Sequence, residues 1–163
     1  MIVRPEAETD FAAIRAVQET AFRRAKEADL VDRLRADGGT VISLVAVKGE
    51  LVVGHILFSR MAAPFRALGL GPIAVMPEYQ RAGIGTRLIN AGLAEARLGG
   101  WEGVFVLGAP AYYRRFGFDP RAAAGFSSPY AGSHFMVMSL REGNLPAKTG
   151  EIAYPAAFSA LGC

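Results

Sequence analysis

The sequence predicts an α/β fold with a mixed sheet, and three features predict it. Short apolar runs alternate with helical periodicity in the order β-α-α-β-β-β-α-β-α-β. Val41 to Val47 and Leu51 to Phe58 flank Lys48-Gly49-Glu50, the signal of an antiparallel hairpin. A third run, Leu70 to Met76, passes through a turn with two glycines into an amphipathic stretch from Thr86 to Leu98. At 163 residues the chain fits a single domain, 1–163, long enough for a real core.

Taken in order, Ile2 and Val3 form a short first strand that Pro5 closes. Thr9 or Asp10 caps a helix through Ile14, Val17 and Phe22. A second helix spans residues 25–36 with Leu30, Val31 and Leu34 on one face, and Asp37-Gly38-Gly39 ends it. After the hairpin, Ala62 to Ala67 is a connection and Leu70 to Met76 a strand. The helix from Thr86 ends near Gly99-Gly100; Gly103 to Leu107 is a short buried strand. Pro110 opens a short helix to Arg115, as its missing N–H permits. His134 to Leu140 is the last strand, and beyond Arg141 the chain is rich in Gly and Pro with an aromatic patch at Tyr154 and Phe158.

Composition narrows the function classes. Apolar residues make up 52% of the chain, which argues against disorder. A net charge of +3, without a basic run interleaved with aromatics, gives no support for nucleic acid and suits an anionic small molecule. Cys163 is the only cysteine, so an intramolecular disulfide is impossible, in agreement with a cytoplasmic location. No secretory leader and no membrane span are expected.

The segment Val75-Met-Pro-Glu-Tyr-Gln-Arg-Ala-Gly-Ile-Gly-Thr-Arg-Leu-Ile89 carries the chemistry. A helix start leaves backbone N–H groups without partners and adds about half a positive charge. Glycines let that backbone approach a phosphate closely. Arg81 and Arg87 are placed to add charge. The nucleotide-triphosphate loop is excluded, since no lysine stands in the turn. Gly69-Leu-Gly71-Pro-Ile-Ala74 matches G-x-G-x-x-A in letters only, because Pro72 and an apolar strand follow it rather than a helix.

Gln80-x-x-Gly83-x-Gly85 resembles the acetyl-CoA loop of the GNAT superfamily of N-acetyltransferases, and V-x-P-x-Y-Q-R-x-G-I-G-x-x-L-I is a specific context for it. The resemblance implies a mixed central sheet with helices on both faces. Backbone groups of Gln80, Arg81, Ala82, Gly83, Ile84, Gly85 and Thr86 would hold the pyrophosphate of acetyl-CoA. Ile73, Ala74 and Val75 would line its pantetheine arm, and no metal is needed. A second block, Val104 to Phe118, resembles the superfamily's strand and helix ending Y-x-x-x-G-F. Tyr113, four residues before Gly117, takes the place of the tyrosine that protonates the departing thiolate. Tyr112 is its alternate; it points about 100° away on a helix, so one thioester cannot use both. Leu107-Gly-Ala-Pro-Ala-Tyr-Tyr resembles the YhbS-like group of predicted acetyltransferases, with Ala109 where that group has an acidic residue. The likeness covers about residues 1–140 and leaves 141–163 as a C-terminal extension. A homodimer is common in the superfamily.

The general base is open. The strand before the loop has no carboxylate. His55, His134, Glu78 and ordered water are the alternatives, with Ser133 beside His134. Cys163 has no base near it in sequence, which argues against a covalent acyl-enzyme. The expected activity is acetyl transfer from acetyl-CoA to an amine by direct attack in a ternary complex. The competing reading is a CoA-binding sensor without turnover.

Overall fold

A computed structural model describes residues 1–163. The strands are β1 (Ile2–Pro5), β2 (Thr40–Lys48), β3 (Leu51–Arg60), β4 (Ala67–Val75), β5 (Gly103–Leu107), β6 (Phe126–Ser127), β7 (Phe135–Ser139) and β8 (Gly150–Glu151). The helices are α1 (Phe11–Phe22), α2 (Lys26–Ala36), α3 (Ile84–Leu98), α4 (Pro110–Tyr113), α5 (Pro120–Ala123) and α6 (Ala156–Ala160). Six strands form one sheet in the order β1-β2-β3-β4-β5-β7, while β6 and β8 form a small parallel pair. Only β4 and β5 run parallel within the large sheet, so it is mixed.

Helices cover both faces. Leu88, Ile89, Leu93 and Ala96 of α3 pack on Leu44, Ile56, Phe58, Val104 and Met136. Ile14 and Val17 of α1 and Leu30, Val31 and Leu34 of α2 pack on Val45, Leu57 and Ala74. These helical residues recur at the spacing of a single apolar stripe. Arg15 of α1 bridges Asp29 and Asp32 of α2 at 2.8 Å each and fixes that pair outside the core.

The first helix starts differently from expectation. Neither Thr9 nor Asp10 caps α1 through its side chain. The Asp10 carboxylate instead accepts from the Ala7 N–H at 2.7 Å and from Arg4 at 2.7 Å, which serves the turn Glu8–Asp10 ahead of the helix. The hydrogen bonds from Arg4 hold this carboxyl below its usual range.

Two features of β4 position the site. Its parallel pairing with β5 runs from Ala67↔Gly103 to Leu70↔Val106 and stops there. At that point β4 bulges: Ile73 faces Ile56 and Leu70 faces Phe58, so Gly71 and Pro72 together oppose Leu57. Gly71 has φ +140°, a conformation that excludes residues with a Cβ, and Pro72 has no N–H to give a neighbour. A bulge bends the strand that carries it. Residues 71–75 therefore stay on β3 and leave β5, which opens a split in the sheet.

The C-terminal segment is docked into the domain. Ala62 and Ala153 exchange both backbone hydrogen bonds at 2.9 Å. The Tyr154 ring lies over Gly69 of β4 so closely that a Cβ there would stand 2.6 Å from its Cε1. No helix is long and apolar enough to cross a membrane.

Candidate active site

The N-terminus of α3 forms the first half of the site. Gly83 precedes the helix at φ +81° and offers no side-chain cap. The first helical hydrogen bond of the turn is Arg87 N–H to Gly83 O at 3.1 Å. Ile84, Gly85 and Thr86 thus present three N–H groups that the helix cannot satisfy. Arg81, ahead of them, also has a positive φ of 63°. Non-glycine residues in that region cluster where function constrains the backbone. A cavity of about 350 Å³ lies over these groups, lined by Val75, Gln80, Arg81, Gly83, Gly85 and Thr86 among others. Free N–H groups at the positive end of a 15-residue helix fit a pyrophosphate.

Several sequence expectations change here. The Gln80 side chain donates to Val75 O at 2.9 Å and so braces the turn against β4. Ala82 is exposed in the turn and does not line the cavity; neither does Arg87. Its cationic wall is completed instead by Arg115, whose guanidinium lies 4.2 Å above the Tyr112 ring and whose Nε donates to Tyr112 O. Tyr79 also lines it. Arg115 and Tyr79 carry no signal for this role in their own segments, because the turn after α4 and the turn Pro77–Tyr79 meet only in the folded chain.

The three residues proposed for the strand do not act alike. Ala74 pairs with His55 of β3, and Met76 N–H bonds Val53 O at 2.8 Å. Antiparallel pairing alternates, so the backbone groups of Ala74 are spent on β3. Those of Ile73 and the N–H of Val75 face the split, while Val75 O is taken by Gln80. Ile73 is therefore available to a ligand through both backbone groups and Val75 through its N–H alone.

The two tyrosines separate as well. Tyr112 belongs to the α3 cavity, its hydroxyl 3.5 Å from Thr86 Oγ1. Tyr113 packs edge-on against Phe118, and its ring fills the space beside Gly108, where a Cβ would stand 2.4 Å from it. Gly108 directly follows β5, so Tyr113 stands at the end of β5 beside the split. Burial, with a smaller contribution from Tyr112, pushes the Tyr113 hydroxyl up to about 12. The phenol stays protonated throughout the physiological range.

Of the base candidates, His55 is excluded. It is fully buried on the α1 side of the sheet, between Gln18 Nε2 and Ser43 Oγ at 2.8 Å each. The Ser43 hydroxyl donates to Glu6, which Arg35 also holds. With that hydrogen committed, His55 Nε2–H donates to Ser43 and Nδ1 accepts from Gln18, which fixes a neutral tautomer. Burial pushes the imidazole down to about 4; Glu6 opposes it, and Arg35 adds a smaller push down. The near-continuous apolar run Leu51–Phe58 around it is the pattern of a strand covered on both faces.

The stability consequence has a definite sign. The unfolded chain takes the His55 proton near pH 6.5, the folded chain near pH 4. Stability should hold above pH 6.5 and fall by about 3 kcal/mol as pH drops from 6.5 to 4. Urea unfolding at pH 7 and pH 5 checks this; equal midpoints at both would show that the buried imidazole gains its proton without cost.

His134 is exposed just before β7; its carbonyl accepts from Gly108 N–H at 2.9 Å and Ser133 Oγ is 3.2 Å from its Nδ1. It therefore stands near the end of β5, on the Tyr113 side of the split. Glu78 is exposed in the turn after β4. No cluster of metal-ligating side chains is present.

A mixed sheet split between two parallel strands, with a helix start of free N–H groups at the split, defines the acyltransferase class of α/β folds. Residues 8–118 match the acetyltransferase (GNAT) family, and the chain belongs to it. It is 44% identical over 131 residues to Uncharacterized N-acetyltransferase YjhQ of Escherichia coli (strain K12), covering 75% of this chain and 72% of that protein. Among solved structures, the Escherichia coli N-acetyltransferase YhbS in complex with CoA superposes with a TM-score of 0.91 at 32% identity, covering 97% of this chain and 91% of that one. A GNAT family acetyltransferase from Brucella melitensis in complex with acetyl-CoA has a TM-score of 0.81 at 38% identity, covering 96% and 97%.

Proposed function

We propose that this protein transfers the acetyl group of acetyl-CoA to an amine acceptor by direct attack in a ternary complex. The observation that carries the reading is the run of free N–H groups from Ile84 to Thr86 beside a split β4 edge. Relatives of the same fold at 32% and 38% identity hold CoA and acetyl-CoA. The pyrophosphate would rest on the start of α3 with Arg81 and Arg115 beside it. The pantetheine arm would run along Ile73 and Val75, and their outward N–H groups would include the donor that polarises the thioester carbonyl.

In the reaction the amine lone pair forms the C–N bond to the carbonyl carbon. The tetrahedral intermediate then expels the CoA thiolate as the C–S bond breaks. The amine proton leaves and the thiolate gains one, so the products are the amide and free CoA. Tyr113 is the donor to that sulfur. Because its hydroxyl titrates near 12 and a free thiol near 8.5, its main contribution is a hydrogen bond that stabilises the thiolate. Cys163 fits a direct mechanism, since burial pushes its thiol up and lowers the thiolate fraction. The proton acceptor is water, with His134 the remaining side-chain alternative. The reading treats residues 1–163 as one catalytic domain, and the single cysteine supports a cytoplasmic site of action.

A panel of amines assayed for acetyl-CoA-dependent products tests the reading. At least one amine should be acetylated at a rate that rises with pH towards the amine's own pKa, in wild type and His134→Ala alike. An acidic limb that His134→Ala erases would make His134 the base instead. Tight CoA binding with no product from any amine would favour a CoA sensor.

A further inference from the structure

A second cavity of about 210 Å³ opens on the α1/α2 side of the sheet. It meets the split: Pro72 of the β4 bulge and Leu107 at the end of β5 both line it. Leu30 of α2 forms another wall, and Tyr154 and Phe158 of the C-terminal segment close it. The cavity on the α3 side and this one therefore flank the same break in the sheet.

Three properties define what it takes. The lining is predominantly apolar and aromatic, and Tyr154 and Phe158 pack with centroids 4.8 Å apart. Pockets for drug-sized molecules run from about 300 to 1,000 Å³, so this one suits a single ring or branched chain. Its only acidic residue, Glu27, is already paired: Arg24 Nε donates to Oε1 at 2.8 Å, and those hydrogen bonds hold the carboxyl below its usual range. A polyamine or aminosugar needs several unpaired carboxylates to replace the water around its charges. This wall has none.

We propose that the acceptor is a small free amine whose nitrogen is borne on a compact apolar or aromatic body, seated in this cavity with the nitrogen at the split. The inference rests on the acetyl-transfer reading and deepens it. The C-terminal segment is then the specificity element: Tyr154, held over Gly69, and Phe158 shape the wall that the apolar body touches. Leu107, half exposed at the rim, meets the same body.

The test compares three probes: 2-phenylethylamine, spermidine and a tripeptide that begins with phenylalanine. Wild type should show kcat/KM at least about 10²-fold higher for 2-phenylethylamine than for spermidine, and above the tripeptide. Phe158→Ala should raise KM for 2-phenylethylamine about 10-fold with KM for acetyl-CoA unchanged. Leu107→Glu, at an exposed position that tolerates charge, should move preference towards spermidine. Saturable binding of 2-phenylethylamine to the CoA complex, followed by NMR, provides a readout apart from turnover. Transfer to spermidine or the tripeptide in preference to 2-phenylethylamine overturns the inference and leaves acetyl transfer standing. Binding of 2-phenylethylamine that Phe158→Ala weakens, with no transfer to any amine, supports the cavity's ligand class and overturns the transfer reading.

Discussion

Gly83→Asp is expected to abolish CoA binding in a protein that still folds. The proposed pyrophosphate site consists of N–H groups at the start of α3, and a carboxylate placed at Gly83 would take them for itself. Two unit charges about 4 Å apart repel by about 4 kcal/mol at an effective dielectric of 20, which is about 10³-fold in affinity. A Cβ at Gly83 meets nothing within 4 Å, so the substitution has room. The cost at φ +81° is backbone strain, which Asp and Asn tolerate better than other residues. Gly83→Asn is therefore the control: it carries the same shape without the charge and should keep most of the affinity. Gly85→Asp should also abolish binding, although a Cβ there stands 3.2 Å from the Tyr112 hydroxyl and adds crowding to charge. Calorimetry on folded variants decides the matter, and unchanged CoA affinity in Gly83→Asp would remove this loop from the site.

Tyr113→Phe should lower turnover by about 10²-fold, the low end for removing one hydrogen-bond donor to developing charge, with little change in CoA affinity. The ring remains to pack beside Gly108 and against Phe118, so the fold is kept. Because the phenol titrates near 12, wild-type turnover should show no alkaline limb from Tyr113 below about pH 11. Tyr112→Phe should act on CoA affinity instead, since its hydroxyl stands by Thr86 in the α3 cavity. A reversal, with Tyr112→Phe slowing turnover and Tyr113→Phe weakening binding, would interchange the two roles.

Much of the architecture was legible because its period is strong. The stripes of α1, α2 and α3, the hairpin between β2 and β3 and the short run of β5 came out within a few residues. The start of β4 was placed three residues late, since Ala67-Leu68-Gly69 carries no strand pattern of its own and is held by pairing with β5. The two-residue strands β6 and β8 and the short helices α5 and α6 have too few residues for any period to register. Within the candidate site, the glycine turn at the start of α3 was legible because glycines and a helix start are consecutive in sequence. Arg115 and Tyr79 were not, because nothing in their own segments says that they face that turn. His55 stayed open among the base candidates for the opposite reason: imidazole chemistry is visible in a sequence, whereas the Ser43, Gln18 and Glu6 that enclose it come from distant segments.

The split between β4 and β5 has a consequence for how the ligand and the fold depend on each other. An unpaired strand edge invites another chain to add to it, yet here the edge lies inside the sheet, flanked by β5 and by helices. A thin chain that carries its own amides, such as the pantetheine arm proposed above, would fit there more readily than another polypeptide strand. On this reading the ligand takes the position of the missing strand segment, and the sheet is complete only in the complex. The seam between the two halves of the protein and the substrate channel are then one structure. Loading the enzyme closes a gap that the polypeptide leaves open, and releasing CoA opens it again, so each catalytic cycle breaks and restores the continuity of the sheet itself.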